Sequence, residues 1–181
     1  MQFHNLPSET LGILAKYDAP PGLVAHLTVV YDAAITLIQQ LNACWPQLVY
    51  DQEGVLIGAA THDIGKAVYT HELTGPGSQH EVIGPQLLLE SGLPENRARF
   101  ARTHARWEQE PDVQLEDLLV AFADTIWKGK RDEALEQAIA YQIAQRCQEE
   151  SWQAYMELDD IACELTKNSD ARILWQGRYA R

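Results

Sequence analysis

The sequence predicts an all-α protein of 181 residues that folds as a single domain. Apolar residues recur at three- and four-residue steps along most of the chain, which is the pattern of one helix face. No segment shows the two-residue alternation that is typical of a half-buried strand. Hydrophobic residues make up 46% of the chain and charged residues 22%, so a chain of this length can bury a core without disulfides or structural zinc.

Seven or eight helices are expected, separated by proline, glycine and polar turns. The first begins at Pro7-Ser8-Glu9, and the second runs from about Leu23 to Asn42 with its apolar residues on one face. The others are expected at residues 54–62, 78–91, 94–107, 114–127 and 132–167, the last being two helices or one bent helix.

Two local details extend this prediction. Ser78 is expected to cap the helix that follows it, with Glu81 completing a capping box. In the last segment, the residues expected to face the core are Ile139, Ile143, Trp152, Tyr155, Met156 and Leu165.

The charge balance excludes one class of partner. The formal net charge is −12, with 26 acidic against 14 basic side chains. A field of that sign repels a polyanion, so long DNA or RNA is not an expected ligand. A small phosphorylated molecule remains compatible, provided that local cations and a metal reverse the potential inside a site.

The cysteines and the first residues predict a compartment. Cys44, Cys147 and Cys163 form no CxxC pair and are odd in number, which is typical of a reduced compartment. Residues 1–10 lack the basic region and apolar run of a signal peptide. No run of about 18 apolar residues marks a membrane span. We therefore expect a cytoplasmic protein without a membrane segment.

Most of the histidines and two carboxylates fall on different predicted helices. Helical bundles build metal sites from inward side chains of facing helices, so tertiary packing can bring such residues together. The candidate ligands are His26, His62, Asp63, His80, His104 and Asp124.

Asp124 is the strongest of these candidates. It lies in the apolar segment LLVAFADTIW, where a carboxylate is costly unless a cation or a hydrogen-bond donor meets it. The alternatives are that Asp124 faces solvent or pairs with an arginine. The pair His62-Asp63 combines imidazole with carboxylate, which suits Mn, Fe, Co, Ni or Zn, and the absence of cysteine ligands argues against a closed structural zinc site. Alone, this dipeptide occurs by chance.

Four sequence stretches surround these residues: GAATHDIGKA, SQHEVIGPQLL, FARTHARW and LLVAFADTIWKGKRD. They resemble the HD-domain superfamily of metal-dependent phosphohydrolases, and the similarity spans roughly residues 21–131. The order His26, then His62-Asp63, then Asp124 matches that family's minimal metal set. The resemblance implies a single HD-type helical bundle with its core at residues 21–131 and a helical extension at residues 132–181.

The resemblance also implies a ligand set for two divalent ions. One ion would be held by His26, His62, Asp63 and Asp124, and a second by His80 and His104, with Asp63 as the bridge. Two such ions can share a hydroxide and clamp the oxygens of a phosphoryl group. His71 competes with His80 for a ligand role but lies in a polar loop, and His4 is expected to have no role.

Several charged residues are candidates for contact with a substrate. Lys66 follows His62 by four residues and is assigned a catalytic role with Asp63, although it can equally be a solvated lysine at a helix end. The other substrate-binding candidates are Lys128, Arg131, Arg106 and Glu72. Lys128 and Arg131 can instead cap the end of a helix. Glu72 can instead be a solvated carboxylate in a loop.

Hydrolysis of a small phosphorylated, nucleotide-like molecule through metal-activated water is therefore the predicted function. Two alternatives remain open: an HD-type di-iron oxygenase with a similar ligand pattern, and a non-catalytic nucleotide sensor. The helices after residue 132 are expected to cover the core, and they also offer a surface for a homodimer. Gly177 and the residues after it have no predicted role.

Overall fold

The structure is a computed structural model that describes residues 2–179, and within them it contains helices and turns but no β-strand. The predicted all-α class is therefore confirmed. The α-helices are α1 Ser8–Lys16, α2 Pro21–Cys44, α3 Gln52–Thr61, α4 Gln79–Glu90, α5 Glu95–Ala98, α6 Phe100–Arg106, α7 Leu115–Ile126, α8 Glu133–Cys147, α9 Ser151–Thr166 and α10 Ser169–Gln176. Single 3₁₀ turns lie at Ile64–Ala67, Thr70–Leu73, Trp107–Gln109 and Gly177–Tyr179.

Helix α2 is the central element of the fold. Pro21 occupies its first turn, where the missing N–H costs nothing, and the helix packs against α3, α7 and α9. By length and composition α2 also meets a test for a membrane-crossing helix, contrary to our expectation. More than half of its most apolar stretch, 56%, is buried inside the protein, and a core helix of a soluble protein passes the same test. This is weak evidence for a membrane segment.

Helix α7 is the second buried element and holds α6 in place. Its residue Asp117 is 1% exposed and accepts hydrogen bonds from the backbone N–H of Gln114 (3.0 Å), from Arg99 Nε (2.9 Å) and from Thr103 Oγ1 (2.7 Å). One buried carboxylate therefore caps α7 and ties it to α6, because each donor offsets part of the cost of burying the charge.

Helix α3 approaches both of these helices closely. A Cβ atom at Gly58 would lie 2.6 Å from Val120 Cγ2 on α7 and 2.8 Å from the ring of Phe100 on α6. Only glycine permits this separation, which sets the position of the C-terminal end of α3 and of His62 just after it.

The chain contains more helical segments than expected. The segment predicted at residues 94–107 is divided into α5 and α6, and α10 was not predicted. The segment at 132–167 forms two helices, which is one of its two predicted arrangements, and Gln148 in a left-handed conformation (φ 58°) separates α8 from α9.

Two residues predicted for the core are exposed. Trp152 is 65% exposed and Met156 is 58% exposed, because Ala154, Leu158 and Ile161 form the buried face of α9. The prediction was wrong because this helix has apolar residues on more than one face, so periodicity alone did not identify the inner one. The homodimer and the cytoplasmic location stay predictions.

Candidate metal centre

Six predicted ligands from five elements meet at one place in the fold. They come from α2, from the turn after α3, from the first turn of α4, from α6 and from α7, and they are His26, His62 with Asp63, His80, His104 and Asp124. Four of them, His62, Asp63, His80 and His104, are less than 9% exposed.

One group of donor atoms surrounds a point between α2, α3 and α7. His26 Nε2 lies 3.3 Å from His62 Nε2, 3.1 Å from Asp63 Oδ2 and 3.2 Å from Asp124 Oδ1. His62 Nε2 lies 3.7 Å from Asp63 Oδ2 and 3.6 Å from Asp124 Oδ1. Four donor atoms from four side chains therefore converge.

A second group lies on the other side of Asp63. The Oδ1 atom of Asp63 is 3.3 Å from His80 Nε2 and 3.6 Å from His104 Nε2. The two oxygens of this one carboxylate thus face two different sets of imidazole nitrogens, an arrangement suited to bridging two cations.

The imidazoles are oriented by hydrogen bonds at their other nitrogen. The Nδ1 atom of His62 lies 3.1 Å from the carbonyl oxygen of Ala59, and that of His104 lies 3.1 Å from the carbonyl oxygen of Phe100. A carbonyl oxygen can only accept, so each Nδ1 donates its hydrogen and each Nε2 is directed towards the cluster.

The donor set fits divalent cations by three criteria. Asp63 Oδ1 and Asp124 Oδ1 are buried and have no hydrogen-bond partner within residues 2–179, which is costly unless another group meets them. The separations of 3.1–3.7 Å resemble the edges of a coordination shell with bonds of about 2.1 Å, which are about 3.0–3.4 Å. Imidazole and carboxylate are borderline-to-hard ligands that transition metals accept.

The pKa values of the cluster agree with this chemistry. Burial alone would raise the pKa of Asp63, but the imidazoles of His62 and His26 hold it well below its ordinary value. Burial would also raise the pKa of Asp124, but the nearby imidazoles of His26 and His62 hold it well below its ordinary value. Burial, together with the charge of His62, lowers the pKa of His104 to about 4. Both carboxylates are therefore ionised and His104 is neutral at pH 7, as ligands must be.

His26 differs from the other ligands. Burial lowers its pKa, but the adjacent carboxylates of Asp124 and Asp63 outweigh burial and raise the pKa to about 9. In the metal-free protein at neutral pH, a proton on His26 therefore occupies the place between the two carboxylates. A cation that binds there must displace this proton.

We expect the affinity of the metal-free protein for zinc to rise with pH up to about 9. Below that pH the ion competes with the His26 proton, whose pKa is about 9, so the affinity should increase about tenfold per pH unit from about 6.5 and then level off. Competition with a chelator at fixed free zinc measures the affinity. Calorimetry in buffers of different ionisation enthalpy counts the released protons. An affinity that is independent of pH over this range would contradict the role of His26.

Glu72 is not a solvated loop carboxylate, because it is only 5% exposed. Its two oxygens accept from the backbone N–H groups of Gln79 (3.0 Å) and His80 (3.1 Å), and Oε2 also lies 2.5 Å from His80 Nδ1. Burial alone would raise the pKa of Glu72, but these donors, His80 first, lower it to about 2. Glu72 therefore caps α4 and orients a candidate ligand at the same time.

The predicted capping box at the start of α4 was wrong. The Ser78 side chain makes no capping hydrogen bond, and Glu72 instead accepts from the first backbone N–H groups of the helix, those of Gln79 and His80. Glu81 instead forms an ion pair with Arg106 on α6.

Lys66 lies on the cluster. Its Nζ atom is 2.6 Å from Asp63 Oδ2, across the 3₁₀ turn that follows α3. Lys66, Asp63 and His26 also line a cavity of about 360 Å³, a volume at the lower end of those that hold small molecules. The remaining lining residues are Pro20, Gly22, Thr70, Leu73, Thr74, Gln176 and Tyr179.

The structure does not bring the other predicted cations into this cavity. Arg131 pairs with Glu136 and Asp159 at 2.6 Å each, so its charge is already neutralised by α8 and α9. Arg106 pairs with Glu81, and Lys128 is exposed with its Nζ 5.8 Å from the Trp127 ring centroid. These three residues do not line the cavity.

The two remaining histidines lie outside the cluster. His71 is exposed in the turn before α4, in agreement with its prediction as a loop residue. His4 has a structural contact that was not predicted, since its Nδ1 lies 2.7 Å from Asp32 Oδ1 on α2.

Gln176 and Tyr179 are cavity residues that sequence reasoning missed. They lie more than 50 positions after Asp124, in a segment without a recognisable motif. The one signal in the sequence is the pair of aromatic residues Trp175 and Tyr179. Such a pair occurs on many protein surfaces and does not by itself indicate a cavity.

Comparison with known proteins identifies the family. The family model described as HD domain matches residues 24–127, which is more than half of the chain. A tRNA (cytidine(56)-2'-O)-methyltransferase of Thermoplasma volcanium is 27% identical over an alignment of 143 positions, which covers 71% of this chain and 38% of that protein. The chain thus aligns with well under half of this relative's length. No solved structure matches. The family match and the cluster of histidines and aspartates agree, and the chain belongs to the HD domain family.

Proposed function

We propose that this protein is a metal-dependent phosphohydrolase that acts on a small phosphorylated, nucleotide-like molecule. The observation that carries the proposal is the position of Asp63, whose two oxygens face separate imidazole pairs while Lys66 contacts one of them. HD domains are a family of the metal-dependent phosphohydrolase type, which supports the reaction class.

The proposed ligand sets follow from the two groups of donor atoms. His26, His62, Asp63 and Asp124 would hold one divalent ion, and His80 and His104 would hold another with Asp63 between them. The identity of the ion is open among Mn, Fe, Co, Ni and Zn. A bound ion of this kind supplies a hydroxide nucleophile at neutral pH by lowering the pKa of water.

Lys66 is the residue that we assign to the phosphoryl group. It lines the cavity, and its ammonium group reaches the cluster, so it can balance the negative charge of phosphate oxygens placed between the cluster and the cavity. The two threonines Thr70 and Thr74 line the same cavity and can donate hydrogen bonds to an anion. This local chemistry makes an anionic substrate compatible with a chain of net charge −12.

Methyl transfer to tRNA is a poor candidate for this chain. It is the activity that the name of the Thermoplasma volcanium protein gives, but the aligned part is only 38% of that protein. An acidic chain also repels a long polyanion.

Phosphate release by the metal-loaded chain tests the proposal. We expect release of inorganic phosphate, or of a nucleoside monophosphate from a diester, when the protein is loaded with Mn, Co, Ni or Zn and incubated without oxygen with a panel of nucleotides. Turnover without oxygen contradicts the oxygenase. Iron-dependent oxygen consumption with no hydrolysis would contradict the phosphohydrolase and support the oxygenase. Tight nucleotide binding with no turnover would contradict the phosphohydrolase and support the sensor.

A further inference from the structure

The segment at the C-terminal end of the described chain forms one wall of the cavity beside the metal centre. Gln176, the last residue of α10, and Tyr179 in the turn after it line the cavity together with His26, Asp63 and Lys66. Both residues lie outside the part of the chain that matches the HD domain, residues 24–127. This wall is therefore built by residues beyond the part of the chain that matches the family model.

Tyr179 is held so that part of its ring is free. The ring centroid lies 5.0 Å from that of Trp175, which in turn lies 4.6 Å from that of Phe3. These contacts support the Tyr179 ring from one side, while 41% of the residue remains exposed. An aromatic ring that is supported in this way and borders a cavity is suited to stacking on a planar ligand group.

Gln176 supplies an acceptor without a partner. Its Oε1 atom is buried and forms no hydrogen bond within residues 2–179. A buried acceptor that stays unpaired is costly, so the atom is expected to be satisfied by a donor that enters the cavity. The backbone around Gln176 is helical and cannot supply that donor, since its own N–H groups bond within α10.

The cavity lining also contains apolar residues. Leu73 and Pro20 line the cavity, and neither carries a polar side chain. A ligand that fits the whole cavity therefore has an anionic group for Lys66, a flat apolar face for Tyr179 and Leu73, and a polar edge with an N–H donor for Gln176. A nucleobase with an exocyclic amino group has that flat face and that donor.

We propose that Gln176 and Tyr179 form a nucleobase subsite that selects phosphorylated nucleosides with an amino-bearing base. This inference rests on the proposed phosphohydrolase function. Tyr179 stacks on the base, and Gln176 Oε1 accepts a hydrogen bond from the exocyclic amino group. The cavity volume of about 360 Å³ limits the ligand to about the size of one nucleotide.

Calorimetric titration of the metal-loaded full chain with non-hydrolysable phosphonates tests the subsite. The probes are the methylene-phosphonate analogues of AMP, of inosine 5′-monophosphate and of ribose 5-phosphate. We expect the AMP analogue to bind about 5- to 100-fold more tightly than the base-free analogue, as base stacking on one aromatic residue predicts. Tyr179→Leu should remove this difference and leave the affinity for the ribose analogue unchanged, whereas Tyr179→Phe should keep it.

The amide has its own test. The wild-type chain should prefer the adenine analogue over the hypoxanthine analogue, Gln176→Leu should lose this preference, and Gln176→Glu should retain it because it keeps an acceptor at this position. Tyr141→Leu is the matched control, since Tyr141 is an exposed aromatic residue on α8 that does not line the cavity.

The possible failures are distinguishable. Equal binding of the AMP and ribose analogues by the wild-type chain would overturn the subsite and leave the phosphohydrolase intact. A base-dependent gain that survives Tyr179→Leu would also overturn it. Absence of binding by all three phosphonates would overturn both the subsite and the proposed function.

Discussion

Replacement of Asp63 by asparagine should abolish the proposed phosphate release and reduce the metal content from the two ions that we propose to at most one. Asparagine keeps the shape of the side chain but removes its charge, and an amide nitrogen cannot act as a ligand. Both Asp63 oxygens face imidazole nitrogens at 3.1–3.7 Å, so the loss affects both groups of donors. We expect kcat/KM to fall by more than about 100-fold, because replacing even an outer-shell partner of a metal ligand costs about 10- to 100-fold.

Asp32→Asn is the matched control for this variant. Asp32 is another aspartate with little exposure, 9%, but it contacts His4 rather than the cluster. Its replacement should leave metal content and activity unchanged. Elemental analysis after dialysis gives the metal content, and far-ultraviolet circular dichroism checks the fold. If Asp63→Asn retained two ions and full activity, the bridging role of Asp63 would be wrong, and with it the basis of the proposed function.

Replacement of Gly65 by alanine should have the largest effect on the fold around the site. A Cβ atom at this position would lie 2.2 Å from the carbonyl oxygen of His80 and 2.6 Å from its Cα atom. These are backbone atoms of α4, so no side-chain rotation relieves the overlap, and α4 must move away from the turn after α3. We expect the free energy of unfolding to fall by about 3 kcal/mol, near the upper end of the usual cost of overpacking.

The same displacement should separate His80 from Asp63. The metal centre of Gly65→Ala should therefore lose the ion assigned to His80 and His104, while the ion assigned to the other group remains. Urea unfolding of the metal-free protein measures the stability, and metal titration measures the stoichiometry. Gly12→Ala is the control, because Gly12 is helical with nothing within 4 Å of its Cβ position, and it should be neutral or slightly stabilising. Unchanged stability and stoichiometry in Gly65→Ala would show that α4 is not held by this contact.

Several features of the site could be predicted because they depend on local sequence. A carboxylate such as Asp124 in an apolar helix needs a partner wherever that helix packs, and the linear order of His26, His62-Asp63 and Asp124 is itself the family pattern. His80 and His104 followed from the same resemblance, and the structure places both beside Asp63.

Features that depend on a partner distant in sequence could not be predicted. The loop around Glu72 has the composition of a solvated segment, and nothing in it shows that its carboxylate caps α4 and contacts His80. The basic residue Arg131 directly follows an apolar helix in the sequence, which suggested a phosphate contact. Its charge is instead taken by Glu136 and Asp159, which the packing of α8 and α9 brings to it.

The sequence by itself determined the helical class, the approximate bounds of most helices and the set of side chains suited to a cation. Helix periodicity and the cost of burying a charge act within a few residues, so they can be read along the chain. Only the tertiary structure decided that the two oxygens of Asp63 face different imidazole pairs, that Lys66 contacts one of them, and that Gln176 and Tyr179 close the cavity. The Lys66 contact lies across one 3₁₀ turn, and the other contacts are between side chains on different elements, so they are set by how the helices pack.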